Sequence, residues 1–115
     1  MKPIKQFEIW IADLNPKKGT EPGKVRPVLI VQSNLLNQIH PSTIICPITT
    51  NVIEASEILR VHIQKGAAGL KEDSDILIDQ VRAIDRRRLL DRLGKISAIS
   101  IAQVKEGLKS VLDLY

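Results

Sequence analysis

Residues 19–34 read GTEPGKVRPVLIVQSN, in which a loop rich in glycine, proline and lysine leads into an aliphatic run. The loop half favours no regular element, because Gly and Pro are residues typical of turns. The run PVLIVQ, residues 27–32, is β-branched and aliphatic, and its proline lies at the start, where a missing amide donor costs least. We therefore predict a central strand over 27–32.

Other β-type runs flank this strand on both sides. Residues 7–13 (FEIWIAD) alternate between two faces, which predicts the first strand. Further strands are predicted at 43–49 (TIICPIT), 59–63 (LRVHI) and 76–84 (ILIDQVRAI). Pro47 lies inside the run 43–49, and a proline there indicates an edge strand or a bulge.

The end of the chain has a different periodicity. Ser97 is a candidate N-cap, and apolar residues follow it at helical spacing, which predicts one amphipathic helix packed against the sheet. These residues are Ile101, Val104, Leu108, Val111 and Leu112. Five or six strands and one helix in 115 residues predict a mainly β fold, a small curled antiparallel barrel that forms one domain over 1–115.

Charge and composition limit the partners. A formal net charge of +4 and a pI near 9.4 favour a polyanionic or acidic partner without identifying it. Cys46 is the single cysteine, so the chain has no disulfide framework and no multi-cysteine zinc site. No segment approaches the roughly 20 apolar residues of a membrane span, and the N-terminus lacks the apolar core of a signal peptide. We expect a soluble, cytoplasmic protein.

Three segments carry the functional signal: residues 19–34, PIT at 47–49 and DQVRAID at 79–85. Together they resemble the MazF/PemK/Kid toxins, most specifically in the spaced pattern DLNP, then G, E and G, then RPV. The resemblance begins at EIWIADLNPKKG, residues 8–19, and continues through the C-terminal helix. It implies a homodimer of SH3-like barrels and a metal-independent, cofactor-free endoribonuclease acting on single-stranded RNA. It also implies an acidic, partly disordered antitoxin as partner.

The resemblance assigns a catalytic pair to Arg26 and Thr49, which match the arginine of G-x-x-RP and the threonine that ends the third strand. Cleavage of RNA by its own 2′-hydroxyl requires proton transfer and stabilisation of charge on the phosphate oxygens. A guanidinium offers planar, bidentate donors to phosphate, and a threonine hydroxyl adds one hydrogen bond. The family role of this arginine includes acid–base catalysis. Because an arginine pKa lies above about 12, we favour charge stabilisation and proton donation for Arg26.

Asp79 is the third predicted site residue. An acid in the predicted strand 76–84 needs partners if it points inward, so it orients Arg26, contacts RNA or serves as a structural carboxylate. Kid-like toxins carry a basic residue two positions earlier, where this chain has Leu77, so we assign the chemistry to Arg26 and Thr49. We predict RNA contacts for Asn15, Lys17, Lys18, Thr20, Glu21 and Gln80.

Alternatives remain at this point. Arg26 and Thr49 also fit an ordinary surface arginine and a strand-end threonine. His40 and His62 allow a two-histidine nuclease, although neither context matches a nuclease motif. The run RAIDRRRLLDRL, residues 82–93, fits a solvated surface as well as an RNA track. A CcdB-like gyrase-binding toxin and a catalytically silent RNA-binding relative are the rival functions, since fold does not determine function.

Overall fold

A computed structural model describes residues 2–16, 19–20, 24–53 and 59–115 of the chain. Within these ranges the chain forms a seven-stranded antiparallel sheet, a short helix and a longer C-terminal helix. The strands are β1 (Glu8–Asp13), β2 (Val25–Ile30), β3 (Ser42–Thr49), β4 (Arg60–Ile63), β5 (Ser74–Leu77), β6 (Arg82–Asp85) and β7 (Leu89–Lys95). The helices are α1 (Asn34–Asn37) and α2 (Ala98–Leu112), and 3₁₀ turns span Ala67–Gly69, Ile78–Gln80 and Arg86–Arg88. The prediction of a mainly β fold with one C-terminal helix is confirmed.

Two strand predictions are corrected. The predicted strand 76–84 is interrupted by the 3₁₀ turn Ile78–Gln80, which separates β5 from β6. β7 was missed altogether, because it lies at the end of the sheet and most of its side chains face solvent. A strand exposed in this way has no alternation of apolar and polar residues for a sequence pattern to detect.

β3 lies at the centre of the sheet and changes partners along its length. The strand order is β4-β5-β3-β2-β1-β7, and β6 also pairs with β3. On the edge away from β2, Ser42 to Ile45 pair with β6, whereas Ile48 and Thr49 pair with β5. The prediction that Pro47 marks an edge or bulge is wrong: it is paired with β2 inside the central strand. It lies in the gap between the β6 and β5 pairings, where a missing amide costs least.

The two faces of the sheet carry separate apolar clusters. One cluster, which includes Ile9, Cys46 and Ile76, is covered by α2 through Val104, which is fully buried. The N-cap prediction for α2 is confirmed, since the Ser97 hydroxyl accepts a hydrogen bond from the Ser100 amide at 3.2 Å. The predicted contacts of Ile101, Leu108 and Val111 with the sheet cluster are confirmed, but Leu112 is half exposed. The opposite face carries Ile4, Trp10, Ala12, Leu14, Val28, Ile30, Ile45, Ile84 and Leu89.

Hydrogen bonding leaves the sheet open among the described residues, because the strand pairings end at β4 and β7. The predicted barrel is therefore a sheet that is not closed by strand pairing. The 3₁₀ turn Ala67–Gly69, which follows β4, packs on β7 backbone to backbone. A Cβ at Gly69 would lie 2.3 Å from the Leu93 carbonyl oxygen, and one at Gly94 would lie 2.6 Å from the Ala68 oxygen. Glycine at both positions therefore allows this approach.

No helix in the described ranges is long and apolar enough to cross a membrane.

The close approach at Gly69 predicts a measurable difference between two Gly→Ala variants. Gly66 and Gly69 both have positive φ, but only the Cβ at Gly69 meets another backbone. Gly66→Ala should lower the free energy of unfolding by about 1 kcal/mol, the cost of a left-handed alanine. Gly69→Ala should lower it by about 3 kcal/mol, because overpacking against β7 is added. Urea unfolding of both variants measures the difference, and equal losses would contradict the backbone contact.

Candidate active site

The strand register aligns four polar residues across the sheet. The register of β2 on β3, continued by two positions beyond its last pair, places Arg26 opposite Thr49. Thr49 is paired with Asp75 on β5, and Asp75 is paired with His62 on β4. Residues directly opposite in an antiparallel ladder point to the same face. We call Arg26, Thr49, Asp75 and His62 the polar row.

The polar row lies on the face of the sheet that α2 does not cover. Side chains alternate along a strand, and the neighbours Ile48, Val61 and Ile76 belong to the cluster under α2. Arg26 is paired on its other side with Ala12, which belongs to the opposite cluster. The row is thus a polar continuation of that second face, with Arg26 and Thr49 half-buried and the His62 side chain 46% exposed.

Arg26 is half-buried and is held next to the end of β3. Its Nη1 donates a hydrogen bond to the Ile48 carbonyl oxygen at 3.3 Å, which fixes the guanidinium beside the peptide group that leads into Thr49. Burial lowers the pKa of Arg26 below its usual value, because a buried cation loses hydration. The structure therefore brings together the two residues that the sequence assigns to catalysis.

Thr49 is the last residue of β3 and is half-buried. Its hydroxyl oxygen accepts a hydrogen bond from the Asn51 amide at 3.1 Å. A hydroxyl can accept and donate at once, so this bond leaves its own hydrogen for an anion on the open face. Arg26 and Thr49 together can provide hydrogen-bond donors to one phosphate.

Asp75 is a site residue that the sequence analysis missed. Its carboxylate is only 2% exposed. It accepts three hydrogen bonds of 3.1 Å each, from the Ile53 amide, from Arg60 Nη1 and from His62 Nδ1. Burial raises the pKa of Asp75, but these three donors outweigh burial and hold the pKa below its usual value. Asp75 lies just before the predicted strand 76–84, whereas β5 begins at Ser74 and includes it.

The same cluster holds the segment that follows Thr49. Arg60 Nη1 also donates to the Asn51 carbonyl oxygen at 2.8 Å, and Asp75 accepts from the Ile53 amide. Residues 51–53 are therefore anchored by β4 and β5 at the end of β3. This anchoring gives residues 51–53, which follow Thr49, a defined position.

Asp79 lies on the 3₁₀ turn Ile78–Gln80 and is exposed. The expectation of an inward acid within a strand is therefore wrong. Burial and, secondly, the charge of Asp79 raise the pKa of the Cys46 thiol to about 12. Cys46 belongs to the cluster under α2, whereas Arg26 lies on the other face. A role for Asp79 in cleavage stays a prediction, as does an RNA contact by its half-buried neighbour Gln80.

The first loop, which connects β1 to β2, is closed at its base by Asn15. The Asn15 side-chain oxygen accepts from the Lys24 amide at 2.8 Å. Arg88 belongs to the run 82–93, which by sequence fits a solvated surface or an RNA track. It donates to the carbonyl oxygens of Asp13 at 2.9 Å and Asn15 at 2.5 Å. Thr20 is exposed. The predicted RNA contacts Lys17, Lys18 and Glu21 lie outside the described residues.

The two histidines lie at opposite ends of β3. His40 precedes β3 and contacts the backbone of Ser42 through Nδ1. His62 lies in the polar row, near the end of β3 that Thr49 forms. This separation removes the two-histidine nuclease as a reading of the site. In the part of the chain that the structure describes, no group of three or more His, Cys, Asp or Glu residues could hold a metal ion.

The fold and the site define a small antiparallel β protein with an arginine–threonine pair on the open face of its sheet. The chain belongs to the PemK-like, MazF-like toxin family of type II toxin-antitoxin systems, whose sequence pattern matches residues 5–112. It is 35% identical over 111 residues to endoribonuclease EndoA of Bacillus subtilis (strain 168), covering 96% of each chain.

Solved structures share the fold. MazF of Deinococcus radiodurans superposes with a TM-score of 0.83 at 22% identity, covering 98% of this chain and 99% of that one. A mycobacterial endoribonuclease, solved in complex with its cognate antitoxin, gives a TM-score of 0.77 at 18% identity and covers 98% of this chain and 96% of that one.

The hydrogen bonds of Asp75 predict a pH-dependent contribution to stability. Its folded pKa lies below the unfolded value of about 3.9, so the stabilisation is complete above that pH and is lost as pH falls through the folded pKa. Asp75→Asn should lower the free energy of unfolding by about 2 kcal/mol at pH 7, the scale of hydrogen bonds to a charged group. The loss should shrink below about pH 3.9, as measured by urea unfolding across pH.

Asp91→Asn is the matched control, because Asp91 is an exposed acid on β7. It should leave stability unchanged at neutral pH. An Asp75→Asn loss that stays constant down to pH 3 would show that the carboxylate charge is not what stabilises the cluster.

Proposed function

We propose that this protein is a sequence-specific, metal-independent endoribonuclease toxin that cleaves single-stranded RNA through attack by the 2′-hydroxyl. The products are a 2′,3′-cyclic phosphate and a 5′-hydroxyl. The observation that carries the proposal is the placement of Arg26 against the end of β3, opposite Thr49 in the register. The curated relative named as an endoribonuclease supports the same reaction class.

Arg26 and Thr49 supply what the reaction needs at the phosphate. As the 2′ oxygen attacks phosphorus and the bond to the 5′ oxygen breaks, negative charge grows on the non-bridging oxygens. The guanidinium donates a planar pair of hydrogen bonds to these oxygens, and the Thr49 hydroxyl donates one more. Solvent water accepts the proton that the attacking 2′-hydroxyl loses. Arg26, whose pKa is lowered by burial, donates a proton to the leaving 5′ oxygen and regains one from solvent. Charge stabilisation by a guanidinium makes a metal unnecessary for this step.

Partners follow from charge and from the family. RNA lies over the polar row, with contacts from Asn15, Lys17, Lys18, Thr20, Glu21 and Gln80, and with Asp79 either orienting Arg26 or contacting RNA. Two copies form a homodimer. An acidic, partly disordered antitoxin neutralises the toxin, since a net charge of +4 favours such a segment and relatives are solved as toxin–antitoxin complexes. The cytoplasm, where mRNA is translated, is the compartment in which this toxin acts.

The first test is loss of cleavage in Arg26→Ala. Purified protein is incubated with long single-stranded RNA in EDTA, and the cut ends are mapped. Discrete cuts at a repeated short sequence with cyclic phosphate ends are expected for the wild type. Arg26→Ala should reduce the rate by at least about 100-fold, the scale of removing one group that stabilises the transition-state anion.

Arg87→Ala is the control for this test, because Arg87 is exposed and paired with Asp85 at 2.9 Å, away from the polar row. It should cleave at the wild-type rate. Cutting that survives Arg26→Ala would refute the assignment of the site. Absence of cutting by the wild type, with growth arrest that persists in Arg26→Ala, would favour the gyrase-binding alternative, which has no need of Arg26.

A second variant isolates the Thr49 hydroxyl. Thr49→Val keeps the shape of the side chain and removes one hydrogen bond to the transition state, so kcat should fall about tenfold with KM little changed. Thr49→Ser restores the hydroxyl and should recover most of the rate. Equal rates for the valine and serine variants in single-turnover cleavage would show that the hydroxyl takes no part.

A further inference from the structure

His62 extends the catalytic pair along the sheet. The polar row runs from Arg26 through Thr49 and Asp75 to His62, and all four residues share the face of the sheet opposite α2. Two strand spacings, each about 4.8 Å, separate the Thr49 and His62 backbones. A phosphodiester held by Arg26 and Thr49 would therefore place a neighbouring nucleotide of the same strand over His62.

The imidazole of His62 is oriented and yet accessible. Its Nδ1 lies 3.1 Å from the buried carboxylate of Asp75, which, when ionised, can accept hydrogen bonds but cannot donate them. Nδ1 therefore carries the hydrogen, and in the neutral ring Nε2 is left as an acceptor. The side chain is 46% exposed, and among the described residues its only hydrogen bond is the one through Nδ1. The ring thus presents one directed acceptor to the open face.

The charge of this cluster argues against a phosphate contact. Arg60 pairs with Asp75 at 3.1 Å and is also bonded to the Asn51 carbonyl oxygen, so its charge is compensated within the cluster. Phosphate oxygens are acceptors, and they have nothing to donate to Nε2. Base edges carry amino and imino hydrogens that do fit a fixed acceptor, and unpaired RNA exposes these edges.

We infer that His62 is a specificity-determining residue, which accepts a hydrogen bond from the base of a nucleotide next to the cleaved bond. Asp75 is the positioning residue that fixes the ring through Nδ1. The inference rests on the proposed ribonuclease function and deepens it, because it assigns base recognition to β4 and β5 in addition to the loops.

The test is the cleavage profile of His62→Phe on a library of random RNA sequences, read by sequencing of the cut ends. Phenylalanine keeps an aromatic ring on the sheet and removes the acceptor. At pH 8, where histidine side chains are ordinarily neutral, the variant should still cut the library. Its preference for one base at a single position beside the cut should fall about tenfold, the scale of one lost base contact.

His40→Phe is the matched control, since it makes the same change in an exposed turn at the other end of β3. Its profile should equal that of the wild type. A His62→Phe profile with unchanged base preference overturns the inference, and so does an equal loss at all sequences, which would indicate contact with sugar or phosphate alone.

A binding measurement separates this inference from the proposed function. The chain has two histidines, so their ring signals in NMR can be assigned with His40→Phe. Arg26→Ala is titrated with an RNA that contains the preferred cut sequence, or with random RNA if the wild type does not cut. A shift of the His62 ring signal without one at His40 supports the inference. Binding without a His62 shift overturns it, whether or not the wild type cleaves, and absence of both binding and cleavage overturns the proposed function itself.

Discussion

The register of β3 against its neighbours is the constraint on which the site depends. β3 pairs with β2 on one edge, and on its other edge with β6 and then with β5. The period of side chains along a strand is two residues, so a slip of one residue on either edge would turn a whole row to the other face. Ile45 packs in the cluster on the face opposite α2, whereas Cys46 and Ile48 pack in the cluster under α2. A slip of one residue would exchange these side chains between two separate cores and turn Thr49 toward the cluster under α2. The apolar core thereby determines that Arg26, Thr49, Asp75 and His62 lie side by side.

The charged residues of the polar row, Asp75 and Arg26, lie in different electrostatic environments. Asp75 is almost fully buried, and three donors satisfy its carboxylate, so the cost of removing a charge from water is offset locally. Arg26 remains half-buried, its pKa is lowered by burial, and its Nη1 donates a hydrogen bond to the Ile48 carbonyl oxygen. The charge of Asp75 at one end of the row is thus compensated within the protein, whereas Arg26 at the other end is a half-buried cation. This asymmetry suits a substrate whose phosphate and base require different contacts.

Backbone packing completes the arrangement at the ends of the sheet. The turn that contains Gly69 lies directly on Leu93 of β7, so β7 is held in place although no strand pairs with its outer edge among the described residues. Arg88 then fastens the base of the first loop by donating to the Asp13 and Asn15 carbonyl oxygens. Arg88, in the arginine-rich run 82–93, thus has a structural role that the charge pattern of the run does not indicate.

Local sequence was sufficient for the elements whose residues alternate or recur with a clear period. β1, β3 and α2 were predicted within about a residue at most ends, and the family pattern identified Arg26 and Thr49 as a pair. Local sequence was insufficient for β7, whose side chains are mostly exposed. It was also insufficient for residues 76–84, because the composition of this apolar run does not mark the turn inside it. Asp79 was misread for the same reason, because an acid in an apolar run has the same pattern whether it lies in a strand or on a turn.

The sequence by itself determined the class of fold, the basic charge and the residues able to stabilise a phosphate, since these depend on residue type and short-range periodicity. Only the tertiary structure decided which of those residues meet. Arg26 and Thr49 are 23 positions apart, and Asp75 and His62 come from two further strands, so their proximity is set by long-range register. Register is a property of paired strands and of the core beneath them, which a pattern read along one strand does not contain.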